Sequence, residues 1–457
     1  MIPAGGKIHF IAIGGSVMHN LAIALKEAGY AVSGSDDEIF EPSRSRLAEA
    51  GLLPESQGWR PEKIDSSINL VILGMHAKID NPELLKAQEL QIPILSFPDF
   101  ILQHAANKQR IVIAGSHGKT TITAMIIHVL DFYKKPFDYV IGARVGKMKK
   151  TVRLSNAPII IIEGDEYLSS ALDPTPKFIR YKHHIGVISG ISWDHANVYP
   201  TEDDYVKQFD VFADATPKAG ALIYCEEDAM ATVIGGKERT DVISVPYRSH
   251  PYQEENGKAY LIDDNKINVP LKIFGKHNMQ NISAAKEVLK KIGITNEQFY
   301  HAIQHFEGAS GRLQKVIENN SFTFFKDYAH APSKVKATCH AVKEMYPDRE
   351  LVACLELHTF SSLNKNFIKQ YEGTLRFASK ALVYFNPEKV KQKGFDHLTE
   401  EDIKKAFGDN AIMVFESSDN LLEYLQAQNW QHKNLLMMSS GTFNGIDMQA
   451  LAQNLKP

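Results

Sequence analysis

Short apolar runs recur along the chain, each followed by a stretch in which apolar residues return every three or four positions. Ile8 to Ile13, Ala31 to Ser33, Asn69 to Leu73 and Pro93 to Ser96 read as strands separated by helices, the rhythm of a parallel sheet. After the polar break His104-Ala105-Ala106-Asn107-Lys108, a second series opens with Arg110 to Ala114 and continues through Ala157 to Ile162 and His184 to Ser192. Small residues and glycines at Phe306-Glu307-Gly308-Ala309-Ser310-Gly311 suggest a linker. Beyond it, Phe322 to Phe325, Leu351 to Leu355, Ala381 to Phe385, Ala411 to Phe415 and Asn434 to Met438 form a third series. The pattern predicts an α/β chain of three doubly wound domains in series, spanning 1–107, 108–308 and 309–457.

The length, 457 residues, allows two to four domains and so agrees with three. With 51 basic and 54 acidic residues the net charge is −3, and no basic stripe marks a nucleic-acid or anionic-membrane partner. Three scattered cysteines, Cys225, Cys339 and Cys354, offer neither a disulfide framework nor CxxC spacing, which suits a reducing cytoplasm. The first residues lack a basic segment followed by a long apolar one, and no run of about 18 apolar residues occurs. Cytoplasmic localisation is therefore the expectation.

Candidate chemistry begins where the strand ending at Ala114 runs into Gly115-Ser116-His117-Gly118-Lys119-Thr120-Thr121 and then into a helical pattern, Ile122 to Leu130. Backbone N–H groups of such a turn, with the positive helix N-terminus, form an anion cradle. Lys119 would reach the β- and γ-phosphates of ATP and the Thr120 hydroxyl would ligate Mg²⁺. The first glycine of GxxxxGK[ST] is replaced by Ile113, so the loop must be tighter than usual. Gly14-Gly15-Ser16 after the first strand is a second phosphate-type turn, or a plain structural one, since the third glycine of GxGxxG is missing. Asp36, about 20 residues on, could bond a ribose or base. A nucleoside diphosphate is the expected occupant, and a nicotinamide dinucleotide the competing one, which the second phosphate loop disfavours.

The apolar run Ala157 to Ile162 ends in Glu163-Gly164-Asp165-Glu166, placing a carboxylate at a strand's carboxyl end, where it can hold Mg²⁺ against a transferred phosphoryl group. Glu163 is the choice for that role; Asp165 and Glu166 fit a solvated acidic loop. His195, after the strand that ends at Ser192, is a candidate second metal ligand. Asn278 and Asn281, three apart on a helix pattern, suit hydrogen bonds to a base. Arg312 offers a phosphate contact, and Asp327 and His330 stand together after a strand.

The motifs IGG, SGSD, GSHGKTT, EGDEY, WDH, GKHN, GRLQ and KDYAHAP, in that order across nearly the whole chain, resemble those of the Mur ligase family, which joins amino acids or peptides to UDP-N-acetylmuramate in cell-wall assembly. The family's phosphate loop is G[TS][HNK]GK[TS], so the missing first glycine is its ordinary form. The IGG turn, the SGSD motif and the HN pair resemble the branch that takes unmodified UDP-N-acetylmuramate. Glu163 to Tyr167, Asp173 with Pro176-Lys177-Phe178, Asp194 to Pro200 and Ser439 to Ile446 are closer to the members that attach the murein tripeptide L-alanyl-γ-D-glutamyl-meso-diaminopimelate. Glu356-Leu357-His358-Thr359-Phe360 is instead closer to the form of the L-alanine-adding members.

The resemblance implies a Rossmann-like UDP-substrate domain, a central ATPase domain and a Rossmann-like C-terminal domain for the incoming amino acid or peptide. It implies ATP and Mg²⁺, with Lys119, Glu163 and His195 catalytic and Thr120, Glu163 and His195 at the metal. Gly115, Ser116, His117, Gly118, Lys119, Thr120, Thr121, Asn278, Asn281, Arg312, Asp327 and His330 would bind ATP. Gly14, Gly15, Ser16, Asp36 and His76 would bind the UDP substrate. The expected acceptor is the tripeptide, with L-alanine as the alternative, and the expected state a monomer or weak homodimer. A non-ligase ATP-dependent binding protein on the same scaffold is the remote alternative.

Overall fold

A computed structural model describes residue 3 and residues 5–455, apart from 144, 146, 147, 149, 256, 396 and 397. Of the N-terminal stretch read for a leader, residues 1, 2 and 4 lie outside the described residues. Three large sheets carry the fold. The first is wholly parallel, in the order Ala31–Ser35, Lys7–Ile11, Leu70–Leu73, Ile94–Ser96. The helix Ser16–Glu27 closes one of its faces because Met18, Leu21, Ala22 and Leu25 recur at helical spacing and are all buried.

The second sheet has seven strands, in the order Ile243–Tyr247, Ala221–Cys225, Ile185–Ile188, Gln109–Ala114, Ile159–Glu163, Asp138–Val140, Val152–Arg153; only the last is antiparallel. Its strands read as continuous apolar runs because both faces are covered. Ile111 and Ile113 pack with Ile122, Met125 and Met279 of the helices Lys119–Phe132 and Lys276–Lys291, while Val112 and Ala114 share the opposite core with Phe178, Phe209 and Phe212. The third sheet runs Gln314–Glu318, Phe322–Asp327, Lys433–Met438, Glu350–Leu357, Lys380–Phe385, Met413–Phe415, with an antiparallel first strand. It too is covered on both faces, Ala353 and Leu355 facing one core and Val352 and Cys354 the other.

Strand order explains where ligands can go. In the second sheet the chain steps from the central strand Gln109–Ala114 to neighbours on either side, and the loops leaving the carboxyl ends diverge there and open a crevice. The first sheet does the same around Lys7–Ile11, so Ala12 to Ser16 and Gly74 to Ala77 flank a second crevice.

Two features depart from the expected pattern. A three-stranded antiparallel sheet, Tyr252–Glu255, Lys258–Ile262 and Asn268–Leu271, and the hairpin Leu168–Ser170 with Asp173–Pro176 were not legible, because these strands are short and partly polar. The polar break around Lys108 is tied into the second unit. Lys108 Nζ donates to the carbonyls of Ser155 and Ala157, both at 2.7 Å, and lies 3.0 Å from the Asp138 carboxylate.

Asp138 is fully buried and also accepts from His104 Nε2 at 3.1 Å, Ser155 N at 3.0 Å and Ser155 Oγ at 2.5 Å. Burial alone would raise its pKa, but His104, Ser155 and Lys108 outweigh it and hold the carboxyl below its ordinary value. The stabilisation is therefore complete above the unfolded aspartate value, about 3.9, and fades as pH falls through the lower folded value. Asp138→Ala should cost about 3 kcal/mol at neutral pH by stranding Lys108. Urea melts should show the difference from wild type shrinking below pH 4; a constant difference would contradict this account.

Candidate active site

The carboxyl edges of all three sheets line one cleft of about 1300 Å³. At its centre the strand Gln109–Ala114 gives way to Gly115, whose φ of +130° an L side chain rarely adopts. A Cβ there would fall 2.1 Å from Ser189 Oγ and 2.9 Å from Ser189 N, so only glycine lets the loop cross the neighbouring strand end. The helix Lys119–Phe132 starts immediately afterwards with no side chain capping its first amides, which leaves them free for an anion.

Lys119 Nζ donates to Gly115 O at 2.5 Å and to Glu166 Oε1 at 2.7 Å. Burial works against its ammonium, but Glu166, with Glu163 and Asp165, more than compensates and raises its pKa. Next to it Thr120 Oγ1 donates to Glu163 Oε1 at 2.6 Å, and Gly142 N donates to Glu163 Oε2 at 2.6 Å. Arg312, after the second sheet's last helices, reaches Thr120 Oγ1 with Nη2 at 3.3 Å while its guanidinium lies 4.2 Å from the Tyr328 ring centre. The structure thus brings Lys119, Thr120, Glu163 and Arg312 together.

Glu166 is a correction. Expected in a solvated loop, it is 2% exposed and accepts from Tyr205 OH at 3.0 Å as well as from Lys119. Tyr205 also meets Ser116 Oγ at 2.8 Å, and Ser192 N donates to the same Ser116 oxygen. The Ser116 side chain is accordingly engaged inside the protein, and its backbone N–H donates to Gly190 O at 2.9 Å, so Ser116, expected to bind ATP, instead fixes the loop to the neighbouring strand end. Asp165, expected in the same loop, keeps its side chain 38% exposed and pairs with Lys177 at 2.7 Å; desolvation opposes its ionisation, but Lys177 holds its pKa at about 2. His195 lies beside these acids with its ring 4.4 Å from that of Tyr167 and stands next to Asp194, which is nearly buried. Burial pushes the other loop histidine, His117, down to about 4, so it is neutral at pH 7.

Asn278 and Asn281 sit on the helix Lys276–Lys291 with Asn281 Nδ2 donating to Asn278 Oδ1 at 3.5 Å. A Cβ on Gly118 would fall 2.3 Å from Asn281 Oδ1, so the pair backs directly onto the phosphate loop along with Thr121. Asp327 accepts from Ala329 N at 2.5 Å and from Leu313 N at 2.5 Å, and its carboxylate braces the turn that carries Arg312. His330 also faces the cleft, its Nδ1 2.9 Å from Tyr328 O; burial drives its pKa to about 3.

In the first crevice Gly15, Ser16 and His76 line the cleft. Asp36 does not. It is 5% exposed and its Oδ2 accepts from Gly14 N at 2.7 Å, so it fixes the glycine turn from behind, and Gly14 is correspondingly out of the cleft. Burial, with Asp37 adding, raises its pKa to about 7. A Cβ on Gly14 would lie 2.9 Å from this carboxylate, which explains the glycine there.

A strand, a tight glycine turn, a lysine at a helix start, and acids on the adjacent strand together define a phosphate-loop nucleotide enzyme. Comparison with known proteins narrows the class. Residues 7–109 match the model of the Mur ligase family, catalytic domain, and residues 113–289 that of the Mur ligase middle domain. A UDP-N-acetylmuramate–L-alanine ligase of Carboxydothermus hydrogenoformans is 30% identical over 461 residues, covering 98% of this chain and 96% of that one. Among solved structures, a UDP-N-acetylmuramate-alanine ligase of Thermotoga maritima superposes with a TM-score of 0.69 at 21% identity over 96% of each chain. A murein peptide ligase of Psychrobacter arcticus does so with a TM-score of 0.68 at 21% identity over 99% of each. The chain belongs to the Mur ligase family, the ATP-dependent ligases that form the amide bonds of peptidoglycan synthesis. Among the described residues no helix is long and apolar enough to cross a membrane.

Gly115→Ala should reduce ATP turnover at least about a hundredfold, since the loop must distort where it meets the phosphate. Retained turnover with an unchanged melting temperature would contradict the geometry described.

Proposed function

We propose that the chain joins the lactyl carboxylate of UDP-N-acetylmuramate to the amine of an L-alanyl group. A carboxylate oxygen attacks the γ-phosphorus of ATP and ADP leaves; the amine nitrogen then attacks the acyl carbon, phosphate leaves and the nitrogen loses a proton. The single observation that carries the reading is the meeting of Lys119, Thr120, Glu163 and Arg312 at the edge shared by the first and second sheets' crevices.

The division of labour follows the sheets. Residues 1–107 would take the UDP substrate, Gly15 and Ser16 receiving its diphosphate, Asp36 and Gly14 shaping that turn, and His76 standing near the uridine. Residues 108–308 would take ATP, with Lys119 passing from Glu166 to the β- and γ-phosphates as they arrive. The amides of Gly115 and of His117 to Thr121, with Arg312, would hold phosphate oxygens. Asn278 and Asn281 would support the adenine side, and Asp327 and His330 the ribose side. Residues 309–457 would bring the acceptor.

Thr120 and Glu163 fit Mg²⁺, since a hydroxyl and a carboxylate already 2.6 Å apart are hard oxygen donors of the kind it shares with substrate phosphates. Once bound, the ion would neutralise charge on the phosphoryl oxygens. Among the described residues no three His, Cys, Asp or Glu side chains converge as a metal cluster, so His195 would act as a separate contact near Asp165 and Asp194.

For the acceptor, free L-alanine is favoured by the full-length similarity to the L-alanine ligase of Carboxydothermus hydrogenoformans. The tripeptide L-alanyl-γ-D-glutamyl-meso-diaminopimelate remains the second reading, favoured by the local sequence Asp194 to Pro200 and by the fold shared with a murein peptide ligase. Both present the same α-amine. An ADP-release assay with UDP-N-acetylmuramate and each acceptor should show turnover with at least one; absence of turnover with both would refute the proposal. Lys119→Met should abolish ADP release while leaving UDP-N-acetylmuramate binding within about twofold, because the lysine serves only the phosphates. Loss of both together would count against the assigned roles.

A further inference from the structure

The helix Pro332–Met345 of the third sheet's unit begins at the cleft and carries Lys334 in its first turn. A cation there opposes the helix dipole, which favours negative charge at that end. Its side chain is 24% exposed and its nearest opposite charge is Asp194 Oδ2, at the long distance of 3.8 Å. That Asp194 oxygen is buried and accepts no hydrogen bond. Asp194 belongs to the second sheet's edge, so the pair spans two units and leaves the Asp194 oxygen without a hydrogen bond.

The surroundings are rich in cations. Burial depresses the Lys334 ammonium, and Lys119 and Arg312 add to this, while Asp194 and Glu166 oppose it. Lys334 also acts electrostatically on His117 of the phosphate loop. Three cationic side chains, Lys119, Arg312 and Lys334, therefore converge on one part of the cleft from two units of the fold. Lys119 is paired with Glu166, but among the described residues neither Arg312 nor Lys334 donates a hydrogen bond to a carboxylate, so these two cations favour an anion with several charges entering among them.

We infer that Lys334 is a phosphoryl-contacting residue carried by the third unit. Its ammonium, held loosely by Asp194, moves onto a γ-phosphoryl oxygen when ATP occupies the loop and so draws the acceptor-bearing unit onto the reacting group. No covalent bond or proton is exchanged. Lys334 can act in this way only if the γ-phosphate sits at the Lys119 edge, as proposed, and the same measurement separates the two claims.

Isothermal titration with ADP and with the non-hydrolysable ATP analogue adenylyl imidodiphosphate reads out the γ-phosphate contact without needing any acceptor. Lys334→Met should weaken the analogue about tenfold and ADP less than about twofold, the size of one lost charge-assisted contact. Lys334→Arg, which keeps the charge, should recover most of the loss. Equal weakening of both nucleotides, the result expected of a plain latch between units, would overturn the inference, as would no weakening of either. Lys119→Met serves as the control: if it too spares the analogue, the placing of the γ-phosphate fails, whereas loss in Lys119→Met alone overturns only the role of Lys334.

Discussion

Lys119 and Glu166, 2.7 Å apart and almost out of water, set the terms for everything around them. A buried ammonium needs a buried carboxylate, and that carboxylate needs donors of its own, which Lys119 and Tyr205 supply. Tyr205 lies on the helix Glu202–Asp214 and also holds Ser116, so the phosphate loop, the acidic loop and that helix are fixed by one network. The pair keeps the lysine charged and held along the loop. Thr120 and Glu163 repeat the arrangement beside it with a hydroxyl in place of the ammonium.

Sheet topology decides why this network stands where it does. Chain crossings on both sides of Gln109–Ala114 open a crevice at its carboxyl end, and the same happens at Lys7–Ile11. Both openings feed one cleft, which under the proposed function would let a nucleotide-sugar and ATP meet end to end. On the proposed function two polyanions would be brought together, and the chain would meet their charge locally with Lys119, Arg312, Lys334 and backbone amides. A net charge of −3 for the whole chain is compatible with that, because the opposing charges lie in a few loops.

Much of this was legible in the sequence because the signals are local. A buried strand, a glycine turn and a helix start identify the phosphate loop within a dozen residues, and Glu163 follows from its place at a strand end. Glu166 was misread because its burial depends on Tyr205, 39 residues away, which no local pattern reports. Asp36 was placed in the nucleotide site by spacing, yet its carboxylate turns to the Gly14 amide, an outcome set by side-chain direction. Nothing local in the sequence singles out Lys334, whose place depends on the third unit packing against Asp194. The small antiparallel sheet of residues 252–271 escaped notice because strands such as Tyr252–Glu255 alternate with charged residues and have no apolar run.

The central claim is that the cleft transfers the γ-phosphoryl group of ATP to a carboxylate of the sugar nucleotide. UDP-N-acetylmuramate labelled with ¹⁸O in its lactyl carboxylate tests it directly. After turnover with ATP and an acceptor that supports it, mass spectrometry of the released inorganic phosphate should find one ¹⁸O, delivered through the acyl phosphate. Phosphate without label would contradict the account.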